Sequence, residues 1–380
     1  MTKRIEYLDV AKGIGILFVV LGHNHIKLEY PIIYQVVYSF HMPFFFLLSG
    51  MFFKTGYSLF ELVRKRFNSL LKPFIAYMIV VYVGSILFTK IDLLAIFWRM
   101  LKSLYAGPNM LEWIPLWFLP HLFLVNLLAF VLIKFVYGRL PHLWMRALFL
   151  AVMLGLGAAT IHLFWPVDFS VFNRSVEFYG LPWSADLLLI TTAFFMLGYE
   201  IRRTFLDGAT EFRYFGWVLI AAIALFVGLN IAFQSTIDFY IRRYGSSAGL
   251  SIAFQPPFGF SIRDFIPVVV VTLEAVSGSV LILFLAKWLE KGPARLFGAL
   301  KYLGTASIVI LIFHFPPQEF LYQKLAALNM NTVLASALAF CAGVLFPVLL
   351  FAWVIRPNRL LSSWFGLSQP QQEEARQPSP

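Results

Sequence analysis

Apolar residues run along this chain in blocks of about 20, the length a helix needs to cross the hydrocarbon core of a bilayer. Ten such blocks stand out, at approximately 8–26, 32–53, 71–88, 116–136, 147–164, 184–200, 214–233, 265–286, 305–322 and 333–355. The pattern predicts an all-α integral membrane protein, a bundle of about ten transmembrane helices. Two segments break the rhythm. Leu93 to Tyr105 is apolar on one face and carries Arg99 and Lys102 on the other, which predicts a helix lying in the membrane interface. Gln234 to Asp264, with its Gly, Ser and Pro residues, predicts a structured loop able to cover a site. From Ser368 onward the chain is polar and Pro-rich, a composition that does not order. The expected organisation is therefore a membrane domain over 1–367 and a disordered tail over 368–380.

Composition agrees with lipid as the solvent. Of 380 residues, 60% are apolar and 13% charged, against about 45–50% and about 25% in a soluble domain. A mean hydropathy of +0.79 excludes a water-soluble enzyme. The formal charge of +11 would suggest nucleic acid in a soluble protein, but here Lys and Arg follow topology. With the amino terminus inside, 21 of the 30 basic residues fall on the inner side and 9 on the outer, which predicts cytoplasmic termini. Lys3 and Arg4 precede an apolar run as in a signal peptide, yet no small-residue cleavage site follows, so a retained first span is expected. The single cysteine, Cys341, leaves no internal disulfide and no multi-cysteine metal site.

Ionisable residues inside apolar blocks are costly in lipid and point to function. In the first block, Lys12 and His23 are eleven residues apart, within about 20° of three full helical turns, so they share a face about 16 Å apart along the axis. Gly15 and Gly22 form a neighbouring stripe where another helix can approach. The plainer reading makes Lys12 a snorkelling anchor and His23 an interface residue. In the second block His41 lies beside Pro43, which frees a backbone carbonyl. Arg64, Arg66 and Lys72 follow it, a cluster suited either to phosphates or simply to fixing topology. His121, Asn126, Asp186, Glu274 and His314 are further polar residues within or at the ends of apolar blocks, Glu274 the most isolated among them.

Four sequence blocks resemble the acyltransferase 3 membrane proteins, in particular their fucose O-acetylase-like and exopolysaccharide O-acetyltransferase branch. They are Tyr7-Leu8-Asp9 with Lys12-Gly13 and Gly22-His23, Phe40-His41-Met42-Pro43 with Phe46 to Gly50, Pro115-Leu116-Trp117-Phe118-Leu119, and Ile312-Phe313-His314. Many members carry Arg, ten residues and then His in the first span; this chain has Lys12 at the Arg position. The resemblance implies transfer of an acyl group, an acetyl group first of all, from cytoplasmic acetyl-CoA to a sugar hydroxyl of an exopolysaccharide, a cell-surface glycan or its lipid-linked precursor. It implies a bacterial cytoplasmic membrane and no metal. On that reading His23 is the general base, Lys12 holds or polarises the donor and Glu274 completes the catalytic set. Arg64, Arg66 and Lys72 bind the donor's phosphates, and His41, Trp117, Asp186 and His314 meet the acceptor. The partners are acyl-CoA, the glycan acceptor and membrane lipids, not nucleic acid, with a homo-oligomer or a glycan-assembly complex both compatible. A transporter or flippase of a glycan-export pathway uses the same buried polar residues and is the competing class. The absence of a fixed-period internal repeat argues against it.

Overall fold

The structure is a computed structural model that describes residues 5–88, 92–107, 110–161, 163, 167–171, 174–178, 180–206, 215–232 and 262–367. Among the described residues, most of each of the ten apolar blocks is helical. The helices are α1 (Glu6–Gly22), α2 (Pro31–Met51), α3 (Leu59–Arg66), α4 (Lys72–Phe88), α5 (Leu93–Tyr105), α6 (Phe118–Phe135), α7 (Leu143–Ile161), α8 (Leu188–Leu206) and α9 (Phe215–Ala232). They continue as α10 (Ile262–Leu289), α11 (Ala294–Thr305), α12 (Ser307–Phe313), α13 (Phe315–Ala327), α14 (Thr332–Leu350) and α15 (Arg359–Trp364). Among the described residues, seven helical stretches are long and apolar enough to cross a membrane: 31–51, 59–87, 114–139, 143–160, 182–202, 269–289 and 332–355. The pair α11 and α12 qualifies jointly but bends by 63°.

Local chemistry explains the boundaries. Ser58 caps α3 in a reciprocal box, its Oγ accepting the Glu61 N–H while Glu61 Oε2 accepts the Ser58 N–H at 2.7 Å. Asn331 and Asn358 cap α14 and α15 through their Oδ1 atoms. A π-helical turn at Phe67–Leu71 joins α3 to α4. The block expected at 305–322 is interrupted: only His314 separates α12 from α13, because Pro316 and Pro317 have no N–H with which to continue the helical ladder. The first block also ends sooner than expected. The helix stops at Gly22, and Asn24 starts a 3₁₀ turn over His25–Leu28 by accepting the Ile26 N–H at 2.9 Å.

Helix α5 has the bounds the pattern predicts, burying Ile96 and Ser103 while Leu93, Leu94, Phe97, Leu101 and Leu104 face outward. An antiparallel hairpin, β1 (Val167–Val171) with β2 (Arg174–Phe178), is an addition to the all-helical expectation, paired from Val167↔Phe178 to Val171↔Arg174. Its sequence alternates Val-Asp-Phe-Ser-Val and Arg-Ser-Val-Glu-Phe, a period-two signal that long flanking apolar blocks obscure. Of the loop expected at 234–264, residues 234–261 lie outside the described residues and 262–264 open α10; the tail 368–380 also lies outside them.

Two glycine crossings set how the bundle closes. A Cβ on Gly50 would stand 1.8 Å from the Phe195 carbonyl oxygen, and one on Gly198 1.9 Å from that of Leu47, so α2 and α8 touch backbone to backbone. Gly13 and Gly304 do the same for α1 and α11, their Cβ positions 2.0 Å from Leu300 O and 1.9 Å from Asp9 O. The expected Gly15 and Gly22 stripe receives α2 more loosely, against the side chains of Phe44 and Tyr38.

Candidate functional site

The site is built on a stripe of α1. Lys12, Ile16, Val19 and His23 are spaced by four, three and four residues and so share one face. At the first end the Lys12 ammonium is 3.4 Å from Asp9 Oδ1 and 4.5 Å above the Phe52 ring, with about a third of its side chain exposed. In the middle, Ile16 and Val19 open onto a cavity of about 120 Å³ closed by Met42 and Phe45 of α2, Leu70 of the π-helical turn, Phe118 and Leu119 of α6, and Ser307, Ile308 and Leu311 of α12. Its lining is almost wholly hydrocarbon. At the far end, His23 caps α1, its N–H bonded to the Val19 carbonyl at 3.3 Å.

One turn beyond the cavity, three helices each present an imidazole. His23 comes four residues after Val19, His41 four before Phe45, and His314 three after Leu311. The rings of His23 and His314 lie 5.5 Å apart, tilted by 46°, and Phe315 meets His23 edge-on at 6.1 Å. Tyr38, which packs against Gly22, stands edge-on to His41 at 4.7 Å and so links His41 to the end of α1. Among the described residues no group of three His, Cys, Asp or Glu is arranged to hold a metal ion.

The histidines differ in how they are held. His41 and His314 are buried, and each places Nδ1 against the carbonyl four residues earlier, Val37 O at 2.8 Å and Ile310 O at 2.9 Å. A carbonyl only accepts, so the neutral ring carries its hydrogen on Nδ1 and a lone pair on Nε2. His314 Nε2 is enclosed with no hydrogen-bond partner among the described residues. His121 is held likewise, Nδ1 on Trp183 O and Nε2 on Thr191 Oγ1, both 2.9 Å. His23 alone of the four has no hydrogen bond from its ring to a described residue and keeps some exposure.

Behind His23 lies a rim the sequence reading did not single out. Asn24 donates to the Ser336 carbonyl at 2.9 Å and to Gln318 Oε1 at 3.3 Å, tying α1 to α13 and α14. His25 Nε2 meets Glu319 Oε2 at 2.8 Å and its ring stacks on Tyr322 at 3.8 Å. Burial pushes the Lys27 ammonium below its ordinary pKa, with the Glu319 carboxylate acting in the opposite direction. The available signal was the polar pair Gln318-Glu319 directly after Pro316-Pro317, inside an apolar block.

The remaining expected residues stand elsewhere. Glu274 is fully buried in α10, and neither carboxylate oxygen has a hydrogen-bond partner among the described residues; no described contact joins it to the three histidines. Asp186 Oδ1 accepts the Leu181 N–H at 2.8 Å and so holds the turn at Gly180. Trp117 packs on His121, with ring centres 5.4 Å apart. Of the cation cluster, Arg64 is exposed, Lys72 half-buried, and Arg66 half-buried with its Nε enclosed and unpartnered among the described residues. Beside them Lys65 donates to the Tyr57 hydroxyl at 2.7 Å, a hydrogen bond that lowers the Tyr57 pKa.

Comparison with known proteins adds one finding. A family model described as an acyltransferase domain, that of the acyltransferase 3 proteins, matches residues 5–353. No curated protein and no solved structure shows a significant match.

Proposed function

The chain belongs to the acyltransferase 3 family, and from that premise we propose that this membrane acyltransferase moves an acetyl group from cytoplasmic acetyl-CoA to a sugar hydroxyl of an exopolysaccharide, a surface glycan or its lipid-linked precursor. The observation that carries the reading is the stripe on α1, with a cation at one end, an apolar cavity between, and three imidazoles converging at the other. A donor with a phosphate-rich head and a long arm needs cations on one side of the barrier and a base on the other. The proposed topology has ten spans, α12 and α13 forming the ninth, and both termini in the cytoplasm of a bacterial cell, as the distribution of Lys and Arg favours. It puts Lys12 inside and the histidines in the outer half.

The chemistry follows from the tautomers. A hydroxyl is a weak nucleophile until a base takes its proton, and His23, whose ring is not committed to the backbone, is the imidazole available to do so. Its lone pair removes the proton, the oxygen attacks the thioester carbonyl, the C–S bond breaks, and the thiol leaves with the proton returned to sulfur. Arg64, Arg66 and Lys72 would take the donor's phosphates, and Lys12 would stand along the donor's path. His41 lines the acceptor side with His314. Trp117 and Asp186, held in the polar layer around His121 and the Gly180 turn, would border the acceptor's approach. No step is assigned to Glu274. The proposed branch is the fucose O-acetylase-like one, which the sequence blocks resemble.

The test is purified protein in vesicles with acetyl-CoA. Consumption of acetyl-CoA that depends on an added glycan acceptor is expected. Movement of a glycan across the membrane without acetyl-CoA turnover would replace this reading with transport.

A further inference from the structure

His314 lines the acceptor side, yet the proton transfer makes no use of its enclosed ring nitrogen. It sits at the joint of an interrupted helix, where irregular backbone at membrane depth is tolerated only when buried in protein or lining a cavity. It is wholly enclosed. Its Nδ1 hydrogen is given to Ile310 O at 2.9 Å, with Leu311 O also within 3.0 Å, so its Nε2 presents a lone pair with no hydrogen-bond partner among the described residues. An enclosed acceptor of that kind is expensive to leave unpaired. The His23 ring lies 5.5 Å away between centres and itself makes no hydrogen bond with a described residue. The two rings are therefore neighbours not joined by a hydrogen bond, one with an N–H to give and the other with a lone pair to receive it.

We infer that His314 is the positioning residue of the base: a small turn of the His23 ring lets Nε2 of His314 accept its N–H, which fixes the His23 tautomer and turns the remaining lone pair toward the acceptor hydroxyl. The inference rests on the proposed acetyl transfer. It is the arrangement of a base oriented by a third group, with the third group an imidazole whose own tautomer is set by the main chain. His41 has the same kind of main-chain hydrogen bond through Nδ1, but its ring is turned to Tyr38. His121 is excluded because both of its nitrogens are already engaged.

Two substitutions separate this role from a purely structural one. Asn at 314 keeps a donor near Nδ1, able to hold Ile310 O, and leaves nothing where Nε2 stood. Gln places its terminal amide near Nε2, where the oxygen can accept from His23. With acetyl-CoA and octyl glycosides of common hexoses as probe acceptors, His314→Asn should lower kcat on the order of 100-fold, in the range of a disabled base, with donor KM unchanged. His314→Gln should stay within about tenfold of the parent. If His314 only braces the helix joint, the order reverses; Asn as active as Gln, or more so, overturns the inference. Should either variant fail to accumulate, infrared spectra of the parent labelled with ring-¹³C histidine decide the matter. The bands of His23, identified by difference from His23→Ala, should report a single tautomer, and a mixture of both overturns the inference. A parent that transfers no acetyl group to any acceptor overturns the proposed reaction instead, and the infrared result still judges the His23–His314 pair.

Discussion

The two ends of the α1 stripe are built on opposite principles. At the Lys12 end the charge is partly exposed, its contacts include an ion pair to Asp9 and the face of Phe52, and the cations beyond it on α3 and α4 range from exposed to half-buried. At the His23 end the neighbouring imidazoles are enclosed and pinned to main-chain carbonyls. Exposed charges are screened and interchangeable, which under the proposed reaction would suit a polyanionic donor that must bind and leave. Enclosed neutral groups hold a hydrogen on a chosen atom, which a proton transfer requires. The same helix thus carries a partly exposed charge at one end and enclosed neutral rings beside the other, with the apolar cavity between them.

The largest break in that contrast is expected at the geometric end. His23→Ala should reduce acetyl transfer by about 10²- to 10⁴-fold while membrane abundance stays near that of the parent, read by isotope-labelled transfer normalised to protein. Near-full activity would remove His23 from the mechanism. Next comes the scaffold shared by both ends. Gly13→Leu drives a side chain into the Leu300 carbonyl and should cut folded, detergent-stable protein on the order of tenfold, as size-exclusion profiles would show. A normal profile would mean that α1 and α11 can separate at no cost.

The charged end should respond to charge more than to shape. Lys12→Met should lose on the order of tenfold in activity, the size of a lost charge-assisted hydrogen bond, whereas Lys12→Arg should keep most of it. Labelling of single cysteines in a Cys341→Ser background checks orientation. Equal activity for Met and the parent would make Lys12 only a snorkelling anchor. The smallest effect is assigned to the outlying cations. Arg64→Gln with Arg66→Gln should raise the acetyl-CoA KM about two- to fivefold, as expected for one exposed and one half-buried charge, and weaken its salt dependence. An unchanged KM in a correctly oriented variant would leave the pair as determinants of topology.

The amino-acid sequence by itself determined where the chain is helical and which residues share the α1 stripe, because both depend on local period and length. Apolar blocks near 20 residues and an eleven-residue spacing are properties of one helix and need no neighbour. The interfacial pattern of Leu93 to Tyr105 was legible for the same reason, down to its bounds. What was missed locally had weak local signals: the five-residue strands, the end of α1 at Gly22, and the interruption at His314, where two prolines inside an apolar block were the only mark. Only the tertiary structure decided which polar residues meet. Gly13, Gly50, Gly198 and Gly304 fix how closely the helices cross, and the fold brings the His23 and His314 rings together while Asp186 engages its own turn. Contacts between residues 294 positions apart, as between Asn24 and Gln318, depend on the rotation and depth of two helices at once, and neither is encoded in the periodicity of either helix alone.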